Sequence, residues 1–195
     1  MIADCRLSAV LNPLILKVIL LLICLAGCAG KPVPGVVPLK FEISGKFGIR
    51  DGDEGYSARF NWQQSHDGYA IEVWGPLGQG RTRLEGNEAV MRVLRGREVI
   101  AQGEPETVML ASLGWSVPIH VLPAWIGGEP AADVHFTEVV YDTEGRYAEF
   151  VQAGWQVSLS RYQQPAVDRA IWRPARVVAA KGARKVTVIV RDFVQ

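Results

Sequence analysis

The residues that could carry chemistry in this chain of 195 residues are few. His66, His120 and His135 stand far apart, and none lies three or four residues from another or from a well-placed carboxylate. A helical metal-binding motif is therefore missing. His66 falls in a Ser-His-Asp-Gly turn and reads as solvated, His120 as a surface or capping residue, and His135 as a strand residue without a partner. The serines at 44, 57, 65, 112, 116, 158 and 160 are scattered, and no G-x-S-x-G elbow holds one of them. Glu72, Glu138 and Glu149 have apolar neighbours and read as solvent-facing. The stretch Gly75–Gly80, "GPLGQG", is glycine-rich but lacks the Lys-Ser/Thr ending and following helix of a phosphate loop. Its Gly75, Pro76, Gly78 and Gly80 are turn-formers, and they leave Leu77 at a turn tip with no obvious burial. The sequence thus assigns no catalytic residue, no metal and no cofactor, and predicts that the protein is not an enzyme.

The remaining chemical group is a thiol. Residues 1–27 hold Arg6, Lys17 and an apolar run from Val18 to Ala26, about half the ~20 residues that span a bilayer. A basic start, a short apolar core and small residues describe a secretory signal. It ends in Leu25-Ala26-Gly27-Cys28, which matches the lipobox of bacterial lipoproteins, where the cysteine is acylated and the chain is cut before it. Cys5 and Cys24 leave with the signal, so Cys28 is the single mature thiol, and neither a disulfide nor a cysteine metal cluster can form. Position 29 is alanine rather than aspartate; by resemblance to known sorting signals this points to the periplasmic face of the outer membrane. Residues 28–39, "CAGKPVPGVVPL", read as a Pro-rich tether, and the domain is expected over 40–195. Without Asp4, Arg6 and Lys17 the mature chain is formally neutral, which argues against nucleic acid as a partner.

The elements that must position these residues are mainly strands. Tyr56, Ala58, Phe60 and Trp62 alternate, as do Tyr69, Ile71 and Val73, and turn clusters at Asp51–Asp53 and Ser65–Gly68 separate the strands. Further strands are expected near 81–85, 88–94, 97–101, 133–141, 146–152, 155–162, 170–179 and 184–193. Between them, Pro105 and Gly114 bound a helix over 105–113, and a second is expected over 118–126, broken or kinked at Pro123. Trp62, Trp115, Trp125, Trp155 and Trp172 read mostly as core anchors. The fold class is α+β, mainly β. It is an open, incomplete antiparallel barrel of about ten or eleven strands, because a sheet of that length curls, and short helices cap it. The curled face is either solid core or a ligand cavity.

"GKFGIR", "FNWQQ", "DGYAIEVWGPLGQG", "LGWSVPIHVLPAWIGGEP" and "QAGWQVSLSRY" together resemble the LolB family of outer-membrane lipoprotein receptors, from about Gly45 to Val194. That family carries a helix ahead of the first strand, whereas Lys31–Leu39 is broken by prolines, so no site is placed there. The resemblance implies a monomer that accepts lipoproteins from the periplasmic carrier LolA and inserts them into the outer membrane without nucleotide. Their acyl chains would enter a cavity lined by Phe60, Trp62, Tyr69, Ile71, Val73, Leu122 and Trp125. Leu77, on its loop of Gly75, Pro76 and Gly78, would enter the bilayer. A lipid-anchored sensor or scaffold of the same form, binding a protein partner, and a lipid-modifying enzyme, which would need polar residues converging inside the cavity, are the other functions that this architecture allows.

Overall fold

A computed structural model describes residues 39–166 and 169–193. Cys28, the signal and most of the tether lie outside the described residues. Eleven antiparallel strands form one sheet: β1 (Leu39–Asp51), β2 (Glu54–Ser65), β3 (Tyr69–Trp74), β4 (Thr82–Gly86), β5 (Met91–Arg95), β6 (Glu98–Gly103), β7 (Phe136–Tyr141), β8 (Tyr147–Gln152), β9 (Trp155–Gln163), β10 (Arg173–Lys181) and β11 (Arg184–Phe193). Two meanders, β1–β6 and β7–β11, join where β1 pairs with β11, so the order is β6-β5-β4-β3-β2-β1-β11-β10-β9-β8-β7. The sheet stays open, since β6 and β7 are edges that do not meet.

Period-two alternation gives the sheet one apolar face. Ala58, Phe60 and Trp62 on β2 are buried, as are Ile71 and Val73 on β3 and Val186, Val188 and Val190 on β11. The central strand β1 bends at a register shift between Ser44 and Gly45. A Cβ at Gly45 would stand 2.0 Å from the Ile189 carbonyl oxygen, so only glycine permits this approach, and the Phe60 ring covers the gap.

Helix α1 (Pro105–Leu113) begins where the Glu104 carboxylate accepts the Glu106 and Thr107 amides at 3.0 and 2.7 Å, and stops at Gly114 in the left-handed region. Bonds from Thr107, with the Glu106 amide, hold that carboxyl below the usual carboxylate range.

The second helix is shorter than expected. It runs over Leu122–Gly127 (α2), with Pro123 in its first turn, where the missing amide costs nothing, so Pro123 neither kinks nor breaks it. Residues 118–121 form a turn in which the Val121 and Leu122 amides reach the Pro118 carbonyl at 3.2 Å. Strand β5 likewise starts at Met91 rather than 88, because the Asn87 side chain accepts the Ala89 and Val90 amides and turns the backbone away. Strands β7 and β10 begin three residues later than expected, and Trp172, ahead of β10, is exposed rather than a core anchor, its ring facing the Arg146 guanidinium. No described helix is long and apolar enough to cross a membrane.

Candidate functional site: an apolar cavity and a raised leucine

The two helices and the segment between them lie against the curled face and line a partly open cavity of about 60 Å³. Its sheet wall includes Phe47, Ile49, Phe60, Trp62, Ile71, Val73, Leu84, Val186 and Val188, and its lid side Met109, Trp115, Val117, Ile119 and Leu122. The indole of Trp115 packs on Phe47 with ring centroids 5.5 Å apart, tying the lid to the sheet. Of the two indole nitrogens among these side chains, Trp62 Nε1 donates to Gln64 Oε1 at 3.0 Å. A buried water needs two to four polar partners, which this wall does not supply, so the occupant it favours is hydrocarbon. No histidine, serine or carboxylate stands on it.

Phe60, Trp62, Ile71, Val73 and Leu122 are on the cavity wall; Tyr69 and Trp125 are not. Tyr69 stands at the mouth of a neighbouring polar depression, because it sits where β3 begins beside the Ser65–Gly68 turn. Its hydroxyl is buried without a hydrogen-bond partner among the described residues. Burial, with the nearby Glu104 charge, pushes the Tyr69 phenol up to about 12.

Trp125 is fully buried on the other side of α2, its ring edge-on to Phe150 at 6.3 Å. There Gln152 Oε1 accepts Trp125 Nε1 at 2.8 Å and the Ala131 amide at 2.9 Å, while Gln152 Nε2 donates to the Ala131 and Val134 carbonyls. Gln152 thus latches the lid to β8. Its signal in the sequence is a polar residue at an inward position, two after the buried Phe150.

The structure also brings together residues that the sequence keeps apart. His66 and His120 share the polar depression, of about 380 Å³, with Asp67 and Glu88. No group of three or more possible metal ligands forms among the described residues.

The second feature is the loop after β3. Leu77 is 96% exposed. The Gln79 amide bonds the Pro76 carbonyl at 3.4 Å and the Gly75 amide bonds the Gln79 carbonyl at 2.8 Å, closing the loop. Leu77 (φ 60°, ψ 17°) and Gly78 (φ 80°) are the central residues, both with positive φ. A turn of this kind favours Asn-Gly, and a side chain such as leucine costs about 1–2 kcal/mol there. Neither packing nor backbone preference accounts for a leucine at this tip. At the base of the loop, the Arg81 guanidinium lies 4.8 Å over the Trp74 ring and pairs with Glu72 at 2.8 Å.

Against known families, the model described as "Outer membrane lipoprotein LolB" matches residues 39–192. The outer-membrane lipoprotein LolB of Chromohalobacter salexigens is 31% identical over 153 residues, covering 78% of this chain and 70% of the relative. That of Stutzerimonas stutzeri is 34% identical over 154 residues, covering 78% and 73%. Among solved structures, a LolA superfamily protein from Nitrosomonas europaea superposes with a TM-score of 0.51 at 10% identity, over 78% of this chain and 84% of that one, which shows a shared fold.

Proposed function

The chain belongs to the LolB family of outer-membrane lipoproteins, and from that premise we propose that it takes lipoproteins from the carrier LolA and releases them into the outer membrane. Membership makes it a lipoprotein-localisation protein rather than an enzyme. In this reading Cys28 is the acylated anchor on the periplasmic face, the protein works as a monomer, the lid moves off the sheet so that the cavity widens to receive cargo acyl chains, and Leu77 enters the bilayer as they leave. The single observation that carries it is an all-apolar cavity in the same domain as a leucine exposed on a strained turn.

The energetics fit a hand-over. At about 0.8 kcal/mol per buried methylene, a sixteen-carbon chain would cost roughly 12 kcal/mol to hold in water. A receptor must hide that surface and then yield it to a larger apolar phase, which is downhill and needs no nucleotide. Burying one leucine contributes only about 1.5–3 kcal/mol. That is too little to anchor a protein and enough for brief contact with lipid, so the loop acts as a probe of the bilayer rather than its fastening.

The test is transfer of a labelled lipoprotein from LolA to liposomes, alongside displacement of a fluorescent fatty acid from the cavity. Leu77→Asp should fold, accept cargo and fail to deliver it. Delivery at the unaltered rate would remove Leu77 from the mechanism, and no uptake by the unaltered protein would end the transport reading.

A further inference from the structure

The outer face of the sheet, opposite the cavity, holds a cationic depression that the transport reading does not use. Inward residues of the central strands are apolar, so Gly48, Arg50, Ser57, Arg176, Lys185 and Thr187 point outward. They line a hollow of about 450 Å³. Gly48 and Gly55 supply its floor because they lack side chains; a Cβ on either would meet nothing closer than 3.8 Å. The Ser57 and Thr187 hydroxyls stand on that floor, and Arg50, Arg176 and Lys185 surround it. None of the three cations has a carboxylate partner among the described residues. The carboxylate of Asp51, next along β1, is taken by Arg184 at 2.8 Å, which leaves Asp53 and Glu54 as the acids of the β1–β2 turn.

A row of basic residues runs across the strands from this hollow to the base of the Leu77 loop. Cross-strand pairing sets Arg176, Ile189, Lys46, Arg59 and Trp74 in one row on the outer face, and Arg81 closes the row over the Trp74 ring. Four strand spacings make that row roughly 19 Å wide. Its basic groups, with the exposed Arg50 and Lys185 beside the β1–β2 and β10–β11 turns, therefore share one end of the sheet with the exposed leucine.

We infer that Arg50, Arg176 and Lys185, over the floor of Gly48, Gly55, Ser57 and Thr187, bind the phosphate of anionic membrane phospholipids. This rests on the reading that the Leu77 loop meets lipid. A phosphate suits the site: two guanidiniums offer planar donor pairs, an ammonium and two hydroxyls complete the set, and the glycines leave room for a headgroup. A membrane is favoured over a protein partner because an apolar tip and an indole lie on the same rim, as in groups that sit at a lipid interface. The geometry of attachment agrees. With Cys28 anchored, residues 28–39 reach at most roughly 40 Å. The stretch of β1 from Leu39 to Arg50 is about the same length at ~3.4 Å per residue. The rim, at the far end of β1 from the tether, can thus turn back to the membrane that holds the anchor.

The experiment is flotation of residues 28–195 carrying Cys28→Ala with vesicles of phosphatidylcholine alone or mixed with phosphatidylglycerol, at low and high salt. Binding should need phosphatidylglycerol and fall as salt rises. Arg50→Gln, Arg176→Gln and Lys185→Gln together should lower partition by about a hundredfold, from the contribution of three charges near an anionic surface. Removing Lys40, Arg161 and Arg191, none of which lines the hollow, is the control and should change it far less. Equal losses in the two triple variants would reduce the site to diffuse attraction and overturn it. So would unaltered partition of the rim variant, or weakened capture of the carrier with lipid binding intact. The fatty-acid displacement assay reads the cavity separately, so failure of the transport reading there stays distinguishable from failure here.

Discussion

Leu77→Asn separates what the loop does for the fold from what it does for delivery. Leu77 is 96% exposed with φ at 60°, so its side chain contributes no packing and its backbone is in a region that disfavours it. Asparagine tolerates that region, and the change should leave stability unaltered or raise it by up to about 1 kcal/mol. The same change removes an apolar group whose burial in lipid contributes about 1.5–3 kcal/mol, so delivery should slow by roughly ten- to 150-fold at 1.4 kcal/mol per decade. The two effects have opposite signs, which a general loss of structure cannot produce. Urea unfolding reads the first, and transfer of labelled lipoprotein into liposomes reads the second. A variant destabilised by more than 1 kcal/mol would mean that Leu77 packs on the domain. A stable variant delivering at full rate would mean that the leucine never meets lipid.

The cavity can be filled without adding polarity: Val188→Phe should place a ring in it, cost about 1–3 kcal/mol and weaken a fluorescent fatty acid at least tenfold, as read by displacement titration. Gln152→Leu should destabilise by about 2–5 kcal/mol in urea unfolding, because the buried Trp125 and Ala131 donors and the Ala131 carbonyl lose their partner. Stability should also fall between pH 10 and about 12. Burial pushes the Tyr69 and Tyr162 phenols up to about 12, so above pH 10 the unfolded chain releases protons that the folded one retains. Unfolding measured across that range should show a shallower decline in Tyr69→Phe and Tyr162→Phe, and an unaltered slope would place these ionisations outside the folding equilibrium.

Period-two alternation through Ala58, Phe60 and Trp62, and again through Ile71 and Val73, was enough to place β2 and β3 and to say which side of each is apolar. That is a local property: a strand turns successive side chains to opposite faces whatever its neighbours are. Pro105 and Gly114 bounded α1 for the same reason, since each acts on the backbone at its own position. The second helix was less legible because Pro118 and Pro123 give two admissible starts, and only packing of Leu122, Trp125 and Ile126 chose between them. Tyr69 shares the inward parity of Ile71 and still misses the cavity, because parity says which face a residue takes and not how far along the strand the cavity extends. The partners of Gln152, the meeting of His66 with His120, and the Arg50–Arg176–Lys185 hollow were invisible, each joining residues separated by long stretches of chain.

By itself, then, the sequence determined the strands, their apolar sides, the glycine-proline turn that raises Leu77, and the family. These depend on residue type and short spacing alone. Tertiary structure decided which inward residues surround a void and which fill the core, and which outward cations share one hollow. Those outcomes depend on register between distant strands, on the bend at Gly45 and on where the lid settles, and no local pattern encodes them.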